Sequence, residues 1–118
     1  MLIVDVEPDV VESIKFRLGL ENIECLEAGD GAEGLRIAQE ELPDLIILDV
    51  MMPKITGYKV ARSLKQDERC RQIPIILLTA RSQDGDRMLG VDSGAAEYMT
   101  KPFDLDGLTA VVLKYLEK

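Results

Sequence analysis

Hydrophobic residues are concentrated in five short runs, and the segments between the runs carry apolar residues at helical spacing. Short apolar runs bounded by turn-forming residues predict strands, and apolar residues recurring every three or four positions predict helices. The predicted strands are Met1–Val4, Ile23–Ala28, Leu45–Leu48, Ile73–Leu78 and Ala96–Met99. Strands that alternate with helices five times predict an α/β fold with a parallel sheet covered on both faces.

The predicted helices cover residues 8–20, 31–42, 58–66, 82–93 and 105–116. Pro8 suits the first turn of the first helix, and Asp30 is a candidate N-cap for the second. The inward face of the second helix is predicted to carry Ala32, Leu35, Ala38 and Leu42. The fourth is the weakest, because its few large apolar residues are accompanied by two glycines.

Leu45–Leu48 is an unbroken apolar run, which indicates a central strand buried on both faces. Ile23–Ala28 is half polar and is predicted near an edge of the sheet. Right-handed crossovers cover both faces only if the winding reverses once. We therefore predict a doubly wound, flavodoxin-like (βα)5 fold of order 2-1-3-4-5, whose winding reverses between strands 1 and 3.

The totals limit the classes of function. A chain of 118 residues suits one domain, residues 1–118, and the net charge of −8 argues against nucleic-acid binding. The absence of histidine excludes histidine catalysis and histidine metal sites. Cys25 and Cys70 lack metal or redox spacing and are predicted to be reduced thiols. Without an apolar run of ~20 residues or a charged leader, no membrane contact is expected. We expect a cytoplasmic protein, and the first strand begins so abruptly that we expect residues to be missing upstream.

Polar residues follow the carboxyl ends of four predicted strands: Asp5, Asp49, Thr79 and Lys101. In a parallel sheet these ends share one edge, where ligands bind at the reversal of winding. Two neighbouring carboxylates favour a cation between them, and oxygen ligands favour Mg²⁺. With Lys101 and the Thr79 hydroxyl, the set suits attack on a phosphoryl group by Asp49. Each residue also has a simpler explanation: Asp49 as a turn residue, Asp5 as a helix cap, Thr79 as an ordinary strand-end hydroxyl and Lys101 as a solvated surface charge.

Four segments together resemble the receiver domain of two-component response regulators, over the whole length of the chain. They are Leu2–Pro8, Pro43–Pro53 with Gly57, Ile75–Ala80, and Gly94–Phe103. The resemblance implies a signalling module rather than an enzyme, which accepts a phosphoryl group on Asp49 from a histidine kinase or phosphotransfer protein. It implies Mg²⁺ held by Asp5, Asp49 and the Met51 backbone carbonyl.

The resemblance also implies roles for other residues. Thr79 and Lys101 would bind phosphoryl oxygens, Tyr98 would be an aromatic switch coupled to Thr79, and the Lys101–Pro102 peptide would be cis. The predicted helix 82–93, the fifth strand and the last helix would form the face that switches and contacts a partner or a second copy. In the family, the positions of Met51 and Arg81 tune hydrolysis of the phosphoryl group, and we expect Arg81 to approach the phosphoryl oxygens.

The chain departs from the family at Val6, because a second acid that binds magnesium directly usually follows the first. We expect weaker Mg²⁺ binding, with Asp5 and Asp49 still present. Glu7 is a hypothetical substitute ligand, since it lies on the same side of an extended strand end as Asp5.

Three other functions compete with a phosphorylatable switch. A degenerate receiver, with weak or no metal binding, would act by phosphorylation-independent contacts, and Val6 is the feature that favours it. A flavodoxin-like nucleotide binder would need a phosphate loop rich in backbone donors, where this chain has Asp5-Val6-Glu7-Pro8. A phosphatase with an aspartate nucleophile usually has a second acid two residues on, where this chain has Met51.

Overall fold

The computed structural model describes residues 1–79, 94–101 and 103–116. The strands are β1 (Leu2–Val4), β2 (Leu26–Ala28), β3 (Ile46–Asp49), β4 (Ile75–Thr79) and β5 (Glu97–Thr100). The helices are α1 (Pro8–Gly19), α2 (Gly31–Glu41), α3 (Gly57–Gln66) and α4 (Leu105–Leu116). The predicted helix 82–93, Arg81 and the predicted cis peptide before Pro102 lie outside the described residues.

The strands form one parallel sheet of order β2-β1-β3-β4-β5, as predicted. The register places Val4 opposite Leu48, Asp49 opposite Leu78, and Thr79 opposite Thr100. The residues that end β1, β3, β4 and β5 therefore lie along one edge of the sheet. The half-polar strand β2 is at an outer position, which confirms the edge prediction.

The core lies on both faces of the sheet. Alternate residues of the central strands point to opposite faces, and β3 and β4 are buried along their whole length. One face packs against α2 and α3, and the other against α1 and α4. Cys70 lies in the first cluster and Cys25 packs against the second, and both are free thiols, as predicted.

Helix α2 begins as predicted, but part of its predicted inward face is wrong. The Asp30 carboxylate caps the helix by accepting a hydrogen bond from the Glu33 backbone N–H at 2.8 Å. Ala32 and Leu42, however, are exposed. The helix instead approaches β1 through Gly34, where a Cβ atom would lie 2.7 Å from Val4 Cγ2. Hydrophobic spacing missed this face because close backbone approach selects glycine rather than a large side chain.

All five strands begin later than their apolar runs predict, β1 and β3 by one residue each. Ile23 donates its backbone N–H to Leu18 O at 3.1 Å, so it completes the turn after α1 and β2 begins only at Leu26. Strand β4 begins at Ile75, after Pro74, whose nitrogen has no hydrogen to donate. Strand β5 is shifted by one residue, to Glu97–Thr100. Apolar composition does not reveal these ends, since backbone hydrogen bonds decide them.

Helix α3 begins one residue before its prediction, at Gly57, with the Thr56 hydroxyl accepting a hydrogen bond from the Lys59 N–H. Gly57 donates its own N–H to Val50 O at 3.0 Å. A Cβ atom on Gly57 would collide with the Asp49 carbonyl oxygen and would lie 2.9 Å from Val50 Cα. Because both neighbouring atoms belong to the backbone, α3 can begin this close to the end of β3 only when residue 57 has no side chain.

We expect Gly57→Ala to lower the free energy of unfolding by about 1–3 kcal/mol, because the added methyl group must displace backbone. Gly19→Ala is the matched control, since no atom of the described residues lies within 4 Å of a Cβ atom there. Alanine at this helical position is expected to leave stability unchanged or to raise it by up to about 1 kcal/mol. Urea unfolding of both variants measures the difference. Equal stabilities would show that the contact at Gly57 does not constrain the chain.

Candidate functional site

The carboxyl edge of the sheet brings together the four polar residues predicted to meet there. Asp5 and Asp49 are each 2% exposed and Thr79 is 5% exposed. Lys101 extends from the end of β5, and its Nζ lies 2.9 Å from Asp5 Oδ2 and 3.5 Å from Asp49 Oδ1. Two buried carboxylates and one ammonium therefore share the edge where the winding of the sheet reverses.

Backbone donors orient both carboxylates. Asp5 Oδ1 accepts a hydrogen bond from the Glu7 N–H at 2.9 Å, and Asp49 Oδ1 accepts one from the Met51 N–H at 3.2 Å. The N-cap of α1 is Glu7, so the simpler explanation of Asp5 as a helix cap is wrong. Each aspartate is followed two residues later by its own donor, which holds the side chain at the strand end.

Lys101 is not a solvated surface charge, because its side chain is only 17% exposed and forms three ion pairs. The third partner is Glu7, with 3.3 Å between Nζ and Oε1. Burial lowers the pKa of Lys101, but the hydrogen bond to Asp5 and the charge of Asp49 outweigh it, and the pKa is raised. The ammonium is therefore retained, and it faces three carboxylates.

Asp49 is the carboxyl group that burial perturbs most clearly at this edge. Burial and the nearby charge of Asp5 raise the pKa of Asp49 from 3.8 to about 6, although Lys101 and the Met51 N–H oppose the rise. Like charges in a site of low dielectric disfavour ionisation of both groups unless further positive charge is present. The pair consequently attracts further positive charge.

Met51, Val6 and Tyr98 are the other residues singled out from the sequence that the structure describes. Met51 is exposed at the mouth of the site and Val6 lies partly exposed beside Asp5. Tyr98, on β5, is paired with Leu77 of β4. Its half-buried side chain packs against the core cluster between the sheet and helices α2 and α3. Within the described ranges, no three Asp, Glu or Cys side chains are placed to hold a metal ion together. In this part of the chain Asp5 and Asp49 therefore do not form a three-acid metal group, and Glu7 pairs with Lys101 instead.

The contact between Glu7 and Lys101 was not predicted. The sequence places Glu7 on the same side as Asp5 and suggests only a metal-ligand role for it. The negative charge of Glu7 could have predicted this contact. A carboxylate two residues from Asp5 is within reach of a cation that binds Asp5.

Comparison with known proteins identifies the family. The sequence model of the response regulator receiver domain family matches residues 1–113. The chain belongs to this family. It is 39% identical, over its full length, to the DNA-binding dual master transcriptional regulator RpaA of Synechocystis, of which it spans 49%. The chain spans about half the length of the first curated relatives that it matches.

Solved receiver domains share the fold. A receiver domain of a signal transduction histidine kinase from Syntrophus aciditrophicus has a TM-score of 0.91 and 36% identity, covering 98% of this chain and 87% of the other. The receiver domain of a sensor histidine kinase from Pseudomonas aeruginosa, which has magnesium coordinated in its active-site cleft, has a TM-score of 0.90 and 28% identity. That match covers 99% of this chain and 96% of the other. Receiver domains are signalling modules rather than classic enzymes. In the part of this receiver domain that the structure describes, no helix is long and apolar enough to cross a membrane.

The raised pKa of Asp49 predicts a pH-dependent cost of folding. A carboxyl group whose folded pKa exceeds its unfolded pKa destabilises the fold as it ionises. The cost is absent below pH 3.8, grows as the pH rises, and is complete above about pH 6. The shift corresponds to about 3 kcal/mol at most. We therefore expect Asp49→Asn to be more stable than the natural chain by about 1–3 kcal/mol at pH 7.5, and by clearly less at pH 4.5.

Urea unfolding in the presence of a metal chelator, at both pH values, checks this expectation. Asp44→Asn is the control, because Asp44 is an exposed aspartate at the opposite end of the same strand. Its effect is expected to stay within about 0.5 kcal/mol at both pH values. A stability gain in Asp49→Asn that did not change with pH would contradict the raised pKa of Asp49.

Proposed function

We propose that residues 1–118 form one receiver domain and that it is a phosphorylatable switch. Asp49 accepts a phosphoryl group from the phosphohistidine of a histidine kinase or phosphotransfer protein. The observation that carries the proposal is the buried pair of Asp5 and Asp49, with the Lys101 ammonium 3.5 Å from Asp49 Oδ1. A carboxylate in such a place is costly unless its charge is used.

The transfer follows from the chemistry of these groups. A carboxylate oxygen of Asp49 attacks the phosphorus, the new P–O bond forms as the P–N bond to the imidazole breaks, and the imidazole nitrogen keeps the electron pair. Lys101 and the Thr79 hydroxyl bind the phosphoryl oxygens, whose negative charge needs preorganised donors. Lys101 is already close to Asp49, and Thr79 ends the neighbouring strand.

The donor set fits Mg²⁺. Three carboxylates face one ammonium at this edge, so negative charge is in excess. The groups that would hold the ion are the carboxylates of Asp5 and Asp49 and the backbone carbonyl of Met51, all hard oxygen donors. When bound, Mg²⁺ would neutralise the carboxylate pair and the charge of the arriving phosphoryl group.

We assign Val6 to the position where the family usually has its second metal-binding acid. Its side chain lies beside Asp5 and is 38% exposed. The protein then supplies two carboxylates rather than three, which weakens the binding of Mg²⁺ without abolishing it, because Mg²⁺ is often held by one or two carboxylates and water.

Phosphorylation would be read out on the side of the sheet that carries β5. Thr79 would move toward the phosphoryl group and Tyr98 would turn inward behind it, which would change the surface of β5 and α4. That face would bind a partner or a second copy of the chain. Met51 and Arg81 would tune how fast the phosphoryl group is hydrolysed.

Val6→Asp is expected to raise the affinity for Mg²⁺ on the order of tenfold, because it adds a charged oxygen ligand beside Asp5. Titration of MgCl₂ followed by amide NMR measures the dissociation constants. The matched control is Phe16→Asp, which adds the same charge at a site on α1 that is 73% exposed. Equal affinities in the Val6→Asp and Phe16→Asp variants would show that Val6 is not at a metal-binding position.

Phosphorylation is tested with acetyl phosphate and MgCl₂, with intact-mass measurement of the chain. We expect addition of one phosphoryl group, lost in Asp49→Asn, and amide shifts at Thr79 and Tyr98 when beryllium fluoride replaces the donor. An unmodified natural chain beside a modified Val6→Asp variant would show that the missing acid had silenced the site. No modification of either would identify a degenerate receiver that works by phosphorylation-independent contacts.

A further inference from the structure

We infer that Glu7 is a positioning residue for Lys101, holding its ammonium at the outer side of the carboxylate pair so that Asp5 can be released to a metal ion. The inference rests on the proposed function, since it concerns how the same site changes partners. It assigns to Glu7 a role through Lys101 rather than a role as a metal ligand.

The first support is the arrangement of the three ion pairs. Lys101 Nζ lies 2.9 Å from Asp5, 3.3 Å from Glu7 and 3.5 Å from Asp49. An ammonium has three hydrogens to donate, so one lysine can satisfy three carboxylates. The side chains of Asp5 and Asp49 are 0% and 4% exposed, whereas that of Glu7 is 61% exposed. Glu7 is therefore the partner on the solvent side.

The second support is the backbone at Glu7. The residue is the N-cap of α1, but its side chain caps nothing, and it is followed by Pro8, which favours the extended conformation that Glu7 adopts. Its N–H is bound to Asp5 Oδ1 at 2.9 Å. Glu7 thus orients Asp5 through its backbone N–H and contacts Lys101 through its side chain. Pro8 restricts the backbone conformation of Glu7.

The consequence is a competition between Lys101 and a metal ion for Asp5. Asp5 Oδ1 accepts the Glu7 N–H, and Asp5 Oδ2 is the closest partner of Lys101. A metal ion that binds Asp5 Oδ2 must displace the ammonium from that oxygen. With Glu7 in place the ammonium keeps a carboxylate partner when it leaves Asp5, so the displacement costs less free energy.

The test measures Mg²⁺ dissociation constants by NMR in Glu7→Gln and in Glu12→Gln, each with Lys101 and with Lys101→Met. Glu12 is the matched control for loss of one negative charge, because it lines the cavity beside Asp5 and Val6. It is not among the carboxylates paired with Lys101 in the described ranges.

With Lys101 present, we expect Glu7→Gln to weaken Mg²⁺ binding about threefold or more beyond Glu12→Gln. With Lys101→Met, the two variants should weaken it equally, by about twofold or less. Equal effects with Lys101 present would overturn the inference. An undiminished effect of Glu7→Gln in Lys101→Met would overturn it too, because Glu7 would then be acting on the metal directly.

A metal-free measurement separates this inference from the proposed function and does not require Lys101→Met to fold. The ¹⁵N signal of the Lys101 ammonium is expected to shift in Glu7→Gln and to stay unchanged in Glu12→Gln. If no variant binds Mg²⁺ but this shift is present, the proposed function fails and the positioning role of Glu7 stands. An unshifted signal in Glu7→Gln would overturn the positioning role.

Discussion

The ion pairs between one lysine and two buried aspartates are the interaction on which the functional edge of this receiver domain depends. Asp5 and Asp49 end adjacent parallel strands, so the sheet forces two like charges together. Lys101 directly follows β5, an outer strand of the sheet, and compensates part of that charge. Because the compensation is incomplete, the pKa of Asp49 rises and the edge retains an affinity for further positive charge.

The fold keeps this edge in place through backbone contacts more than through side chains. The Glu7 and Met51 N–H groups fix the carboxylates, and Gly57 lets α3 begin directly against the end of β3. The central strands are buried on both faces, so the strand ends cannot shift independently of the core. A reactive group held on such a scaffold is preorganised, which is what transfer to a buried carboxylate requires.

Val6 and Glu7 make this edge different from a generic three-acid site. Among the described residues no three acids are placed to hold a metal ion together, and Glu7, two residues after Asp5, pairs with Lys101 instead. The carboxylates of Asp5 and Asp49 are therefore buried at this edge, and that of Glu7 is exposed to solvent. This chain belongs to the receiver-domain family and is similar in sequence to RpaA. The proposal places the balance between a metal ion and Lys101 at this edge on Val6 and Glu7.

The sequence by itself determined the order of the sheet, the family and the positions of Asp5, Asp49, Thr79 and Lys101, because apolar runs and strand-end residues are local signals and parallel topology has few solutions. It did not determine the exposed side of α2, the late start of β2 or the Glu7–Lys101 pair. Those depend on which backbones touch, as at Gly34 and Val4, and on contacts between residues 94 positions apart. Hydrophobic spacing records how much of a residue is buried but not its partner, so only the tertiary structure decided them.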